Sequence, residues 1–196
     1  EEIHKIQHLR LRVRNPLYDA REVFLFECYT GIRISDILTL KWKHITDEKI
    51  SIRMRKTEKL LTIPINDYVR SVLDRRRCAV ENNGGKITSE KYVFNILKVD
   101  VDEVSAQDAL NAISSATAVI NKQLKKIAEQ TNIDKNLSTH CARHSYATAL
   151  LTNNIPLPVI KEMLGHSDIK VTQIYAKVVD SKRNEVVECL NKVYHG

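Results

Sequence analysis

Arg33, Lys56, His140, Arg143, His166 and Tyr175 are the side chains of this 196-residue chain that could act together on one phosphate if folding gathered them. Two arginines suit a tetrahedral anion whose charge lies on two non-bridging oxygens, because each planar fork donates paired hydrogen bonds. A tyrosine, with a pKa of roughly 10, is a weak nucleophile near neutrality unless its proton is removed or its oxyanion stabilised. Histidine is the obvious helper. Together these groups describe transfer of a phosphodiester's phosphoryl group to a tyrosine without a metal ion. Singly, each has a plainer explanation. An isolated Arg or Lys is ordinarily a solvated surface group, and a lone Tyr is ordinarily an amphipathic residue at the edge of a core. Only the conjunction carries the chemistry.

The elements around them must bring these residues together. REVFLFECYTGIRISDILTLKW reads as helix, tight turn, helix, with Gly31 breaking the first helix and Ser35 able to cap the second. Arg33 follows that break directly. Ile50, Ile52 and Met54 alternate with Ser51, Arg53 and Arg55, and LLTIPI resumes after KTEK, so a β-hairpin carries Lys56 at its bend. NDYVRSVLDRRRCAVEN predicts a helix with Arg75-Arg76-Arg77 on or near its solvated side, ending at the loop Asn82-Asn83-Gly84-Gly85. KYVFNIL predicts a third strand, and the acidic VDVDEVS a loop. An amphipathic helix is expected over 106–130, with Ile113, Ile120, Leu124 and Ile127 on one face. Ser138 or Thr139 caps the next helix, in which His140, Arg143 and His144 fall at i, i+3 and i+4 and project to one side. Pro156 opens a shorter helix that ends at Gly165, and His166 follows that glycine as Arg33 follows Gly31. A final helix over 181–194 bears the apolar stripe Val186, Leu190, Val193. The fold class expected is mostly α with a small three-stranded antiparallel sheet.

TGIRISDILTLKW, RMRKTEKLLTIPI, HCARHSYATALL and LGHSDIKVTQIYAKV, in that order, resemble the sequence boxes of the tyrosine recombinase catalytic domain, the family of phage and transposon integrases and chromosome-dimer resolvases. The resemblance implies that fold, with a catalytic core over 1–180, a C-terminal helix over 181–196 that docks in cis or on a neighbouring protomer, and an N-terminal DNA-clamping domain outside this chain. It implies that Tyr175 attacks a DNA phosphate, forming a 3′-phosphotyrosyl bond and releasing a 5′-hydroxyl. Arg33 and Arg143 would hold the phosphate and Lys56 would protonate the leaving oxygen. His140 would move the tyrosine proton, His166 would hydrogen-bond the phosphate, and Asp36 and His144 would orient their neighbours. The implied partner is double-stranded DNA at specific recombination sites, bound by a homo-tetramer, with accessory DNA-bending proteins as further candidates. The chain alone is expected to be monomeric and to bind DNA weakly. An integrase of a mobile element is the first reading and a chromosome-dimer resolvase the second.

Composition agrees with a polyanion-binding protein. The formal net charge is +7, apolar residues make up 43% and charged residues 28%. No apolar run reaches the roughly 18 residues of a membrane span, and the opening EEIHKIQHLR has no signal-peptide core. Cys28, Cys78, Cys141 and Cys189 form no CxxC pair, which suits a reducing, cytoplasmic setting. His140 and His144 at i, i+4 invite a metal, but HCARH lacks the glutamate of HExxH and no third ligand has suitable spacing, so neither metal nor cofactor is expected. Two rivals remain. A helix-turn-helix regulator would need neither Lys56 nor Tyr175, and a type IB topoisomerase would share the tyrosine chemistry without strand exchange.

Overall fold

The computed structural model describes residues 1–13 and 15–165. His166, Tyr175, Cys189 and the expected helix over 181–194 lie outside the described residues. The elements run α1 (Glu2–His8), α2 (Leu17–Thr30), α3 (Ile34–Leu38), a 3-10 turn (Trp42–His44), β1 (Lys49–Arg53), β2 (Leu60–Pro64), α4 (Asp67–Asn82), α5 (Ala106–Gln130), α6 (Thr139–Thr152) and α7 (Leu157–Met163).

Helix α2 is the axis. LYDAREVFLFECYT is apolar on nearly every side, and all of it is buried except Asp19 and Tyr29. A helix of that kind must be covered all round, and α1, α4, α5 and α6 pack against it. It also carries Arg21, Glu22 and Glu27 into the core, and buried charges need partners. Glu22, with no exposed surface, accepts from Arg21 at 2.8 Å and from Arg75 of α4 at 2.9 Å. Removing one member of such a buried group typically costs about 3–5 kcal/mol. Helices α6 and α7 share a second, smaller core of Tyr146, Ala147, Leu151, Ile160 and Leu164.

Local signals place most boundaries. Asn66, Ser105 and Ser138 cap α4, α5 and α6 by accepting backbone N–H bonds from Val69, Asp108 and Cys141. The hairpin pairs Ile50 with Ile63 and Ile52 with Leu61, which buries the alternating apolar face and leaves Ser51 opposite Thr62.

Three expectations are corrected. The third strand does not form: among the described residues the sheet has two strands, and 91–97 makes only a single bridge, Tyr92 with Lys41. Tyr92 is drawn off instead by the acidic loop, its hydroxyl donating to Asp100 at 2.8 Å while Lys41 bonds Asp100 and Asp102 at 3.0 and 2.8 Å. Ser35 does not cap α3, because the helix starts earlier and Arg33, two residues before it, occupies the N-cap. The Arg75-Arg76-Arg77 run is not a simple solvated face. Arg76 is buried, bonded to Asp19 at 2.5 Å and to the Val93 carbonyl at 3.3 Å, with its guanidinium over Phe94, while Arg77 covers Trp42.

Candidate active site

Gly31 makes the first arginine possible. It ends α2 at φ +67°, with its N–H donating to the Glu27 carbonyl at 2.8 Å, a left-handed conformation that a side chain resists. An added Cβ would also lie 2.4 and 2.7 Å from ring carbons of Tyr146. The turn therefore lies flush on α6, Ile32 is sunk in the core, and Arg33 emerges half-buried at the start of α3.

The second arginine comes from α6. Arg143 is buried and donates to two carbonyls on different elements, Gly31 after α2 and Leu164 at the end of α7, the latter at 2.5 Å. Arg33 donates to the next carbonyl, Gly165, at 3.3 Å. Two guanidinium groups from distant parts of the chain thus meet at consecutive peptides, at the carbonyl end of a helix where cations are favoured. Those carbonyl acceptors are neutral. A phosphate oxygen would offer each a stronger, charge-assisted bond.

Two carboxyl groups lie beneath them. Asp36 is buried, one oxygen accepting the Arg55 N–H at 2.9 Å and the other without a partner. Burial raises its carboxyl above the ordinary range, opposed by the Arg55 N–H and by the charges of Arg33, Arg143 and Arg55. Glu27, 2% exposed, also has one oxygen without a partner. Burial holds it well above the carboxylate range, opposed by Arg143 and reinforced by Cys141. Asp36 came from its motif. Glu27 did not, although a glutamate inside an otherwise apolar helix was the signal.

One turn before Arg143, His140 is exposed and its Nε2 lies 2.7 Å from Nε2 of His144, with the rings edge to face. Burial, then the charges of His140 and Arg143, lower the His144 pKa. A neutral His144 can accept or donate at this contact, and the tautomer of each ring depends on the other. Lys56 is exposed in the turn 55–57, next to the Arg55 N–H that Asp36 holds. The described structure therefore gathers Arg33, Asp36 and Arg143, pairs His140 with His144 beside them, and places Lys56 on the adjoining turn. His166 and Tyr175, outside the described residues, follow Gly165 in sequence.

Comparison with known proteins bears on this arrangement. The sequence profile of the phage integrase family matches residues 3–182. The chain is 31% identical over 169 residues to tyrosine recombinase XerD of Staphylococcus haemolyticus, covering 84% of this chain and 52% of that protein. It is 27% identical over 200 residues to a XerC-like tyrosine recombinase of Caldanaerobacter subterraneus, covering 89% and 49%. It thus spans about half the length of these curated relatives. Among solved structures, the XerH site-specific recombinase bound to its palindromic difH substrate superposes with a TM-score of 0.68 at 21% identity, covering 95% of this chain and 49% of that one. The catalytic domain of bacteriophage HP1 integrase gives 0.58 at 24%, covering 95% and 90%. At those identities the structural likeness concerns the fold, which is the mostly helical one described above.

Proposed function

The chain belongs to the phage integrase family, and from that premise we propose that its protein is a site-specific DNA recombinase that cuts and rejoins strands by transesterification. The phenol oxygen of Tyr175 attacks the phosphorus of a DNA phosphodiester, the 5′-oxygen leaves with a proton from Lys56, and a 3′-phosphotyrosyl ester remains. Rejoining is the same step reversed by another strand's 5′-hydroxyl, so the ester bond is exchanged rather than hydrolysed and no nucleotide is consumed. Arg33 and Arg143 neutralise the charge that builds on the non-bridging oxygens, the kind of electrostatic help that dominates such reactions. His140, oriented by His144, takes the tyrosine proton and His166 bonds the phosphate. Asp36 orients the Arg55 peptide and the arginines around it.

The observation that supports this reading best is the meeting of Arg33 and Arg143 at the carbonyls of Leu164 and Gly165. Phosphate recognition then sits at the residue from which the His166–Tyr175 segment departs. The helix-turn-helix rival gives no reason for two buried or half-buried guanidinium groups to converge there. A mobile-element integrase acting as a homo-tetramer on double-stranded DNA is the specific form proposed. A chromosome-dimer resolvase is the second reading, because the curated relatives are tyrosine recombinases named XerD and XerC-like. Strand exchange separates recombinase from topoisomerase. Two labelled duplexes carrying the DNA that flanks the gene, incubated in excess chelator, should yield joined products. Supercoil relaxation with no joint product would overturn the proposal.

A further inference from the structure

Met54 lies within the RMRKTEKLLTIPI box, where the hairpin turn meets Arg33, and has been given no role so far. It is 1% exposed at the end of β1, where its backbone closes the Lys56 turn: Met54 N–H donates to Lys59 at 2.9 Å, and Glu58 N–H donates to Met54 at 2.9 Å. Its sulfur accepts from Nη1 of Arg33 at 3.2 Å and touches the Thr57 hydroxyl at 3.8 Å. Gly165 presses on the same side chain: a Cβ there would fall 2.3 Å from the sulfur and 2.4 Å from the terminal methyl. Arg33 closes the circuit through Nη2 to the Gly165 carbonyl. One thioether thus joins the turn that carries Lys56, the guanidinium of Arg33 and the glycine that precedes His166.

The choice of atom is informative. A carboxylate at this point would neutralise Arg33 and compete with phosphate for it. A leucine would fill the space and accept nothing. A thioether is a weak, polarisable acceptor, able to fix the direction of a guanidinium and to release it to a stronger, charged acceptor. We propose that Met54 is a positioning residue for the recombination reaction, its sulfur presenting Arg33 to the phosphate in register with the Lys56 turn. This rests on the function proposed above.

Met54→Leu conserves volume in a packed core and removes the acceptor. In the wild-type chain the two Nη groups of Arg33 have different partners, so at low temperature their ¹⁵N-bound protons, assigned with Arg33→Lys, should give separate resonances. In Met54→Leu the Nη1 resonance should shift, while Nη2 keeps its Gly165 partner and its own signal. Unchanged Arg33 signals overturn the inference, whatever the activity. In cleavage of a nicked duplex from the DNA flanking the gene, Met54→Leu should be about tenfold slow, less than the ~10²-fold that outright misplacement of a catalytic group can cause. The defect should shrink when the scissile phosphate is replaced by a neutral methylphosphonate, which relies less on arginine charge. An equal defect on both substrates, or none on the phosphate, contradicts positioning through Arg33. Absence of any wild-type cleavage counts against the proposed function instead, and the guanidinium resonances still decide the role of Met54.

Discussion

Gly31→Ala, measured beside Gly84→Ala, tests how closely α6 is fitted to the turn that presents Arg33. Both glycines hold left-handed backbone, at φ +67° and +73°, so each alanine bears a conformational penalty of about 1–2 kcal/mol. Their surroundings differ. A Cβ on Gly84 meets nothing within 4 Å, whereas one on Gly31 lands 2.4 Å from the Tyr146 ring and 3.1 Å from a methyl of Leu164, both in the second core. Overpacking of that kind adds about 1–3 kcal/mol, so Gly31→Ala should be the less stable by about 2 kcal/mol. At roughly 2–4 °C per kcal/mol for a domain of this length, the two melting temperatures should differ by roughly 6 °C. Thermal melts followed by far-ultraviolet circular dichroism give that difference directly. The Gly31 carbonyl also accepts from Arg143, so Gly31→Ala should slow phosphate chemistry while Gly84→Ala leaves it alone. Equal melting temperatures would refute the argument, since they would mean that Tyr146 gives way freely and the turn is not fixed by α6.

Glu27→Gln reports on the buried carboxyl. Because burial raises its folded-state pKa, the folded protein keeps this proton after the unfolded chain has lost its own. The stability so contributed is complete below the unfolded value of about 4.3 and is lost as pH rises through the folded value. The Gln variant escapes that loss, so its urea midpoint should gain on wild type as pH rises above about 4, and a difference constant with pH would contradict the burial argument. Lys56→Ala should slow strand cleavage by about 10²–10⁴-fold, the usual worth of a placed proton donor. It should be largely rescued by a substrate whose leaving 5′-oxygen is replaced by sulfur, which departs without a proton. Failure of that rescue would remove Lys56 from the acid's role.

Much of this arrangement is legible in the chain because its signals are local. Ser138 three residues before Cys141, the alternation of Ile50, Ile52 and Met54, and the glycines at 31 and 165 each act on their immediate neighbours, and the structure follows them. What could not be read depends on partners far along the chain. Nothing near Arg75 and Arg76 announces that they reach back to Glu22 and Asp19, so a basic run looked solvated. The Tyr92 segment has strand-like residues, but its hydroxyl is claimed by Asp100 and its backbone by residues 40–42, so local propensity lost to tertiary bonding. In the site, the motifs supplied the residue types and their order. That Arg33 and Arg143 meet on the carbonyls of Gly165 and Leu164, with Met54 below and Glu27 buried nearby, is long-range geometry that no motif spells out. Met54 was at least placed on the inner face by its alternation, whereas the unpartnered oxygen of Glu27 could be seen only after folding.

The central claim is that these groups serve a single phosphate attacked by Tyr175. The most direct measurement is a denaturing gel of the chain incubated, in excess chelator, with end-labelled nicked duplex from the DNA flanking its gene. A covalent protein–DNA band should form with the wild type, vanish in Tyr175→Phe, and persist in Tyr194→Phe. An adduct that survives Tyr175→Phe, or that never forms while the duplex is bound, would contradict the account.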